Sequence, residues 1–144
     1  MLGKLIEECR TDICFVSSVV LPPDGDTTKL EGCKISIVLA KPHTGRWHQV
    51  RQHLASGTIG HAILGDSSHG RSRTNRIWRT KRQLMPQRTC LHLARIQLKS
   101  TKYSPDGINV SCPLSHDLQQ LLNHLPPQLQ EDARPILLQE GIQI

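Results

Sequence analysis

The sequence predicts an α+β fold with short helices, and three observations carry that prediction. Residues 34–40, KISIVLA, alternate so that Ile35, Ile37 and Leu39 share one side of a ribbon, the period of a half-buried strand. Two apolar runs, 90–98 and 108–112, flank Pro105-Asp106-Gly107, a strong turn signal, and read as a hairpin. Trp47, Val50 and Leu54, and later Leu118, Leu121, Leu122 and Leu125, recur at intervals of three and four, as the buried stripes of helices do.

In chain order, residues 1–26 are the hardest to read. Phe15, Val16, Val19 and Val20 suit a strand, Glu7 and Glu8 suit a helix or surface turn better, and the residues leave both open; Pro22-Pro23-Asp24-Gly25-Asp26 is a turn by composition. The organised part is expected over 27–125. Pro42 ends the first strand, Thr44 and Gly45 start a helix, and Gly57 stops it. With Trp47, Val50 and Leu54 turned inward, Arg46, His48, Gln49, Arg51, Gln52 and His53 share the remaining face, which is rich in donors and has no carboxylate. A second strand is expected near 62–64, before the Gly65-Asp66 turn. Residues 67–82 have almost no apolar side chains besides Ile77 and Trp78 and read as a basic loop. Pro113 ends the hairpin, Ser115 caps the Leu-rich helix, and Pro126-Pro127 stops it. The stretch 126–144, mildly acidic and interrupted by Pro135, is expected to be a peripheral tail.

A chain of 144 residues makes one modest domain or a piece of a larger one, and with 3% aromatic residues its core must be mostly Leu, Ile and Val. The formal charge of +6 is unevenly placed: residues 41–102 hold thirteen Lys or Arg against one acid, Asp66. A basic block inside a folded segment favours a polyanion, most simply nucleic acid. The five cysteines show no C-x-x-C pair and read as reduced thiols. The longest apolar run, around 13–21, is broken by Ser17 and Ser18, so no membrane span is expected, and the N-terminus lacks a signal peptide's apolar stretch. An intracellular protein is expected, with the cytoplasm favoured. His48 and His53, five residues apart, lie about 140° from each other on a helix, unlike an i, i+4 ligand pair, so no metal is expected.

The most specific stretch is 41–66. Its run Thr44-Gly45-Arg46-Trp47-His48-Gln49-Val50-Arg51-Gln52-His53-Leu54, followed by Gly60-His61-Ala62-Ile63-Leu64-Gly65-Asp66, closely resembles the "TGR-x-HQ-[ILV]-R-x-HL … GHPI-[LV]-GD" signature of the RluA-type pseudouridine synthases. Residues 65–70 with Asn75-Arg76 look most like a tRNA-modifying branch of that family, and Arg88-x-x-Leu91-His92 resembles its next motif, with Leu93 intruding before Ala94. The resemblance runs from about residue 27 to about residue 124.

The resemblance implies a mixed, largely antiparallel sheet, RNA uridine isomerisation without a cofactor, and structured RNA as partner, tRNA ahead of rRNA. By motif position Arg51 is the active-site arginine that pairs with a catalytic aspartate, and Leu91 packs near the flipped base. Arg46, His48, Gln49, His53, His69, Arg71, Arg73, Arg76, Trp78, Lys81 and Arg82 are the expected RNA contacts, with Trp78 or His69 available to stack on an exposed base. The sequence departs from the family pattern in containing no "HRLD-x-x-TSG" segment. Asp12 follows Arg10-Thr11 but lies only 39 positions before Arg51, with Cys14-Phe15-Val16 where Thr-Ser-Gly belongs; the single tyrosine, Tyr103, falls in the hairpin turn. The chain thus looks like the C-terminal portion of such a catalytic domain. The expected consequences are that Arg51 faces water, a phosphate or a substitute acid, that Asp66 is a structural carboxylate of its turn, and that residues 34–40 or 62–64 form a sheet edge that the N-terminal residues cover. A non-catalytic RNA-binding remnant is the alternative.

Overall fold

The computed structural model describes residues 8–21, 33–82 and 88–144. The first two strands, β1 (Thr11–Val20) and β2 (Lys34–Pro42), form an antiparallel ribbon running from Thr11 opposite Pro42 to Val20 opposite Lys34. The N-terminal segment therefore covers the edge of the 34–40 strand, as expected. Ile35, Ile37 and Leu39 turn to the same half-buried side. A bulge between Phe15 and Ser17 leaves Val16 unpaired and resets the alternation of β1. That shift lets two consecutive residues, Val16 and Ser17, both be buried.

Helix α1 (Gln49–Ala55) follows β2, and α2 (Ser72–Ile77) continues into a π-helical turn, Trp78–Arg82. The hairpin is confirmed, but its strands, β3 (Arg95–Leu98) and β4 (Ile108–Ser111), are shorter than the apolar runs. Gly107, at φ 69°, occupies a left-handed turn position where a Cβ would crowd the Leu98 carbonyl. Helices α3 (His116–Asn123) and α4 (Gln128–Gln139) complete the chain. The α+β class holds. The sheet is two separate two-stranded antiparallel ribbons among the described residues.

The core forms where α3 and α4 lie against the β1–β2 ribbon. Leu21, Trp78, Leu118, Leu121, Leu125 and Leu129 make one buried cluster, with Val19, Ile35 and Leu64 packed on it. Val16, Ala133, Leu137 and Ile142 make a second, beneath Ile37 and Leu39. The Ser17 hydroxyl donates to the Leu129 carbonyl at 2.8 Å, fastening strand to helix.

Several expectations are corrected. The tail is core: Leu129 and Ala133 are fully buried, and with Leu137 they stand four residues apart on one helical stripe. Pro135 is accommodated inside α4 at an exposed position. Residues 62–64 are not a strand, and within the expected 67–82 loop only 67–71 is a turn, while 72–82 forms two helical segments that carry Trp78 inward. Trp47, assigned to the buried stripe, is 80% exposed, because the helix begins only at Gln49 and its buried residues are Gln49 and Leu54. The turn expected at Pro22-Pro23-Asp24-Gly25-Asp26 lies outside the described residues.

Leu129 and Leu138 share α4 but differ in burial, the first sealed in the core and the second 55% exposed. Leu129→Ala is expected to cost about 3 kcal/mol in urea unfolding, by lost burial and the cavity left behind. Leu138→Ala is expected to stay within about 0.5 kcal/mol. Equal, small effects would return α4 to the periphery.

Candidate functional site

The site is built on a turn that can exist only with glycine at two positions. Gly65 is left-handed, at φ 78°, and a Cβ there would collide with the Arg88 carbonyl oxygen. A Cβ on Gly70 would strike the Asp66 carbonyl oxygen. Asn75, buried at the middle of α2, clamps the same turn: its side chain accepts from the Gly65 N–H at 3.1 Å and donates to the Asp66 carbonyl at 2.8 Å. Between these glycines Asp66 is fully buried.

A buried carboxylate needs donors, and Asp66 has four. Its Oδ1 accepts from the Ser68 and His69 N–H groups, both at 2.9 Å, and from Arg51 Nη2 at 2.6 Å. Its Oδ2 accepts from Arg51 Nε at 2.8 Å. The bidentate guanidinium, helped by the two backbone N–H groups, outweighs the cost of burial and holds the carboxyl well below the usual carboxylate range. Asp66 in turn raises the pKa of Arg51.

Arg51 is also tied on another side. Its Nη1 lies 2.9 Å from His48 Nε2, and because a guanidinium only donates, that nitrogen accepts. His48 therefore carries its proton on Nδ1 and donates it to His69 Nε2 at 3.1 Å. The order Asp66, Arg51, His48, His69 is one hydrogen-bonded chain. Burial first, and then the positive charge of Arg51, push the His48 imidazole below its ordinary value. His48 is also the non-glycine residue with a positive φ, 51°, among the described residues. Trp47 stacks on its ring at 4.2 Å between centroids.

The expected site residues separate in the structure. Arg51, His48 and His69 come together, and Asp66 is the substitute acid that Arg51 meets. Gln49 and His53 serve the fold. The Gln49 amide accepts from Thr44 Oγ1 at 2.7 Å and the Arg46 N–H at 3.1 Å, and donates to the Arg10 carbonyl and Thr11 Oγ1, both at 2.9 Å. His53 Nδ1 meets Thr11 Oγ1 at 2.9 Å. Arg46, Arg71, Arg73 and Arg76 are exposed and Leu91 is 41% exposed. Trp78, expected to stack on a base, is 4% exposed and belongs to the core. The side chains of Lys81 and Arg82 lie outside those described.

Other groups are committed elsewhere. Arg88 bridges to Asp117 at 2.7 Å and donates to Ser115 Oγ and the Leu91 carbonyl, locking the 88–91 segment onto the start of α3. Asp12 is bound to His43 at 2.6 Å and to Arg10 at 3.1 Å, half-exposed on the ribbon. Among the described residues no His/Cys/Asp/Glu cluster of metal-binding kind occurs, and no helix is long and apolar enough to cross a membrane. All five cysteines are free. Sequence reasoning missed Trp47 as a surface group, because its spacing to Val50 and Leu54 is helical whereas the helix starts only at Gln49, two residues later.

Sequence comparison finds relatives that match part of the chain. A Yersinia pestis protein is 50% identical over 48 residues, 33% of this chain and 18% of its own length. A Vibrio cholerae protein is 34% identical over 97 residues, 67% of this chain and 38% of its own. An uncharacterised Aquifex aeolicus RNA pseudouridine synthase is 48% identical over 42 residues, 29% of this chain and 13% of its own. These matches relate the chain to the pseudouridine synthases. The Yersinia and Vibrio proteins are both named tRNA pseudouridine synthase C, the branch to which the similarity extends. The chain spans between 13 and 38% of the length of these three relatives. No protein-family model and no solved structure matches it.

Two pH effects follow. The depressed Asp66 carboxyl contributes stability that is fully present above the unfolded value, about 3.9, and is lost as pH falls through the folded one. Urea unfolding of the wild type against Asp66→Asn is therefore expected to show an advantage that is constant near neutrality and shrinks below about pH 4. In NMR titration, His48 is expected below about 6.5, and Arg51→Gln is expected to return it only part of the way, since burial is the larger cause. A full return would assign the shift to charge alone.

Proposed function

We propose that the chain is part of an RNA pseudouridine synthase acting on structured RNA, tRNA ahead of rRNA, with Arg51 as its active-site arginine. The observation that carries this reading is the position of Arg51. It is 17% exposed, fixed by a buried carboxylate on one edge and an imidazole on another, inside the stretch with the most specific family resemblance. Three of its five N–H donors are engaged by the contacts described, which leaves one on each terminal nitrogen. The proposed reaction breaks the uridine C1′–N1 bond and makes C1′–C5, with N1 gaining a proton and C5 losing one. No cofactor is called for. Exposed Arg46, Arg71, Arg73 and Arg76 are the proposed backbone contacts, Leu91 the proposed pocket wall, and His69 a positioning residue that holds His48. Work on tRNA puts the protein inside the cell, with the cytoplasm as the expected compartment.

The second reading, an RNA-binding protein without turnover, is favoured by the saturation of Asp66. With four donors and a depressed pKa it is a poor base and a poor nucleophile, and Asp12 is half-exposed and held by two partners of its own. A single-turnover incubation of the full chain with tRNA tritiated at uridine C5 separates the two, since isomerisation releases that hydrogen to water. The synthase reading expects tritium release that falls at least 100-fold in Arg51→Lys, with folding intact by circular dichroism. Salt-sensitive binding with no release would assign the chain to the second reading, and neither binding nor release would reject both.

A further inference from the structure

Trp47 presents 80% of its surface to solvent in a chain with only four aromatic residues. A lone exposed apolar side chain needs no explanation, but this one is held in place. One face of the indole lies on His48, with rings 23° from parallel, and His48 is itself held by Arg51 Nη1 on one nitrogen and His69 Nε2 on the other. His69 also meets His48 edge-on at 5.2 Å. The backbone is fixed as well: the Trp47 carbonyl accepts from Gln52 Nε2 at 3.1 Å, and buried Gln49 anchors the strap that enters the helix. The indole is thus a preorganised plate whose ordering cost is met before any ligand arrives.

We propose that Trp47 is a stacking platform for an unpaired RNA base, the proposal resting on the RNA reading above. The occupant is argued from charge. The plate sits in a segment with thirteen basic residues and one acid, between exposed Arg46 and the arginines that follow His69, and the acid is buried and paired. A base offers a flat apolar face to the indole and a phosphate to the surrounding positive charge, whereas an apolar protein partner offers nothing that complements that charge. Because every base has a π-face, the platform selects for an unpaired nucleotide and not for a sequence. It takes over the role that the sequence had suggested for Trp78.

The test is fluorescence anisotropy with a labelled single-stranded RNA, using wild type, Trp47→Ala and Trp47→Phe. Trp47→Ala is expected to weaken binding about 5- to 150-fold, the range for loss of one base–aromatic stack. Trp47→Phe is expected to recover most of that loss, and the salt slope is expected to stay the same in all three, since no phosphate contact is removed. Binding should quench the emission of exposed Trp47 in the wild type. Wild-type affinity in Trp47→Ala, with salt-sensitive binding retained, would overturn the platform and leave the RNA reading standing. No salt-sensitive RNA binding by the wild type would overturn both.

Discussion

A carboxylate with no solvent exposure stays ionised only where the surrounding chain delivers donors to it, and the Asp66–Arg51 pair is the point at which this protein meets that condition. Two donors come from the guanidinium and two from the backbone of the turn. The backbone donors require the turn to close tightly, and the tight turn requires glycine at 65 and 70. Asn75 then joins the turn to α2, and Leu64 accepts from the Cys90 N–H at 2.8 Å, joining it to the segment that leads into the hairpin. A single buried charge therefore ties together four pieces of chain that share no regular sheet. Removing one partner of such a pair leaves the other charged and unpaired in the interior, which is why the two residues function as a unit.

The same logic sorts the basic residues. Some are structural whatever their charge suggests: Arg88 staples its segment to Asp117 and Ser115, and Arg95 donates to Asn109 and to the Glu140 carbonyl at the end of α4. The excess of positive charge between 41 and 102 is thus partly spent inside the molecule. The exposed basic residues include Arg46, Arg71, Arg73 and Arg76, on either side of the histidine pair in the sequence, with Arg79, Lys99 and Lys102 beyond them. The proposed RNA contact is narrower than the composition alone suggested.

How much of this was legible in the sequence depends on whether a local pattern had a tertiary competitor. The 34–40 strand, the Pro-Asp-Gly hairpin and the Leu118 stripe were readable because alternation, turn chemistry and helical spacing each pointed to one answer. Asp66 as a structural carboxylate was readable from the family resemblance of its Gly-Asp turn. Trp78 was not, because one tryptophan among seven basic residues between 71 and 88 looks like a loop until a long-range cluster with Leu21 and Leu129 pulls it inside. The α4 stripe was hidden by Pro135, which argues against a helix locally at about 3 kcal/mol, a cost that the buried Leu129, Ala133 and Leu137 offset. Gln49 was misread because an amide among arginines resembles a donor for RNA; its four partners come from residues up to 39 positions away.

The completed pair also changes what the proposed chemistry asks of any further acid. From sequence, Arg51 was expected to face water, a phosphate or a substitute acid; in the structure Asp66 is that acid, so the fold of the site does not wait on a second one. Asp66 occupies the Nε and Nη2 edge, and His48 takes one proton of Nη1. An incoming carboxylate would therefore meet one N–H on each terminal nitrogen, and its lone pairs would not be consumed by backbone donors as those of Asp66 are. Such an acid keeps more of its basicity than Asp66, and a reacting carboxylate needs basicity to accept a proton or attack carbon. In the proposed synthase two carboxylates would divide two roles: Asp66, spent on donors, holds the guanidinium still, and an incoming acid held by the remaining N–H groups would be the one left able to react.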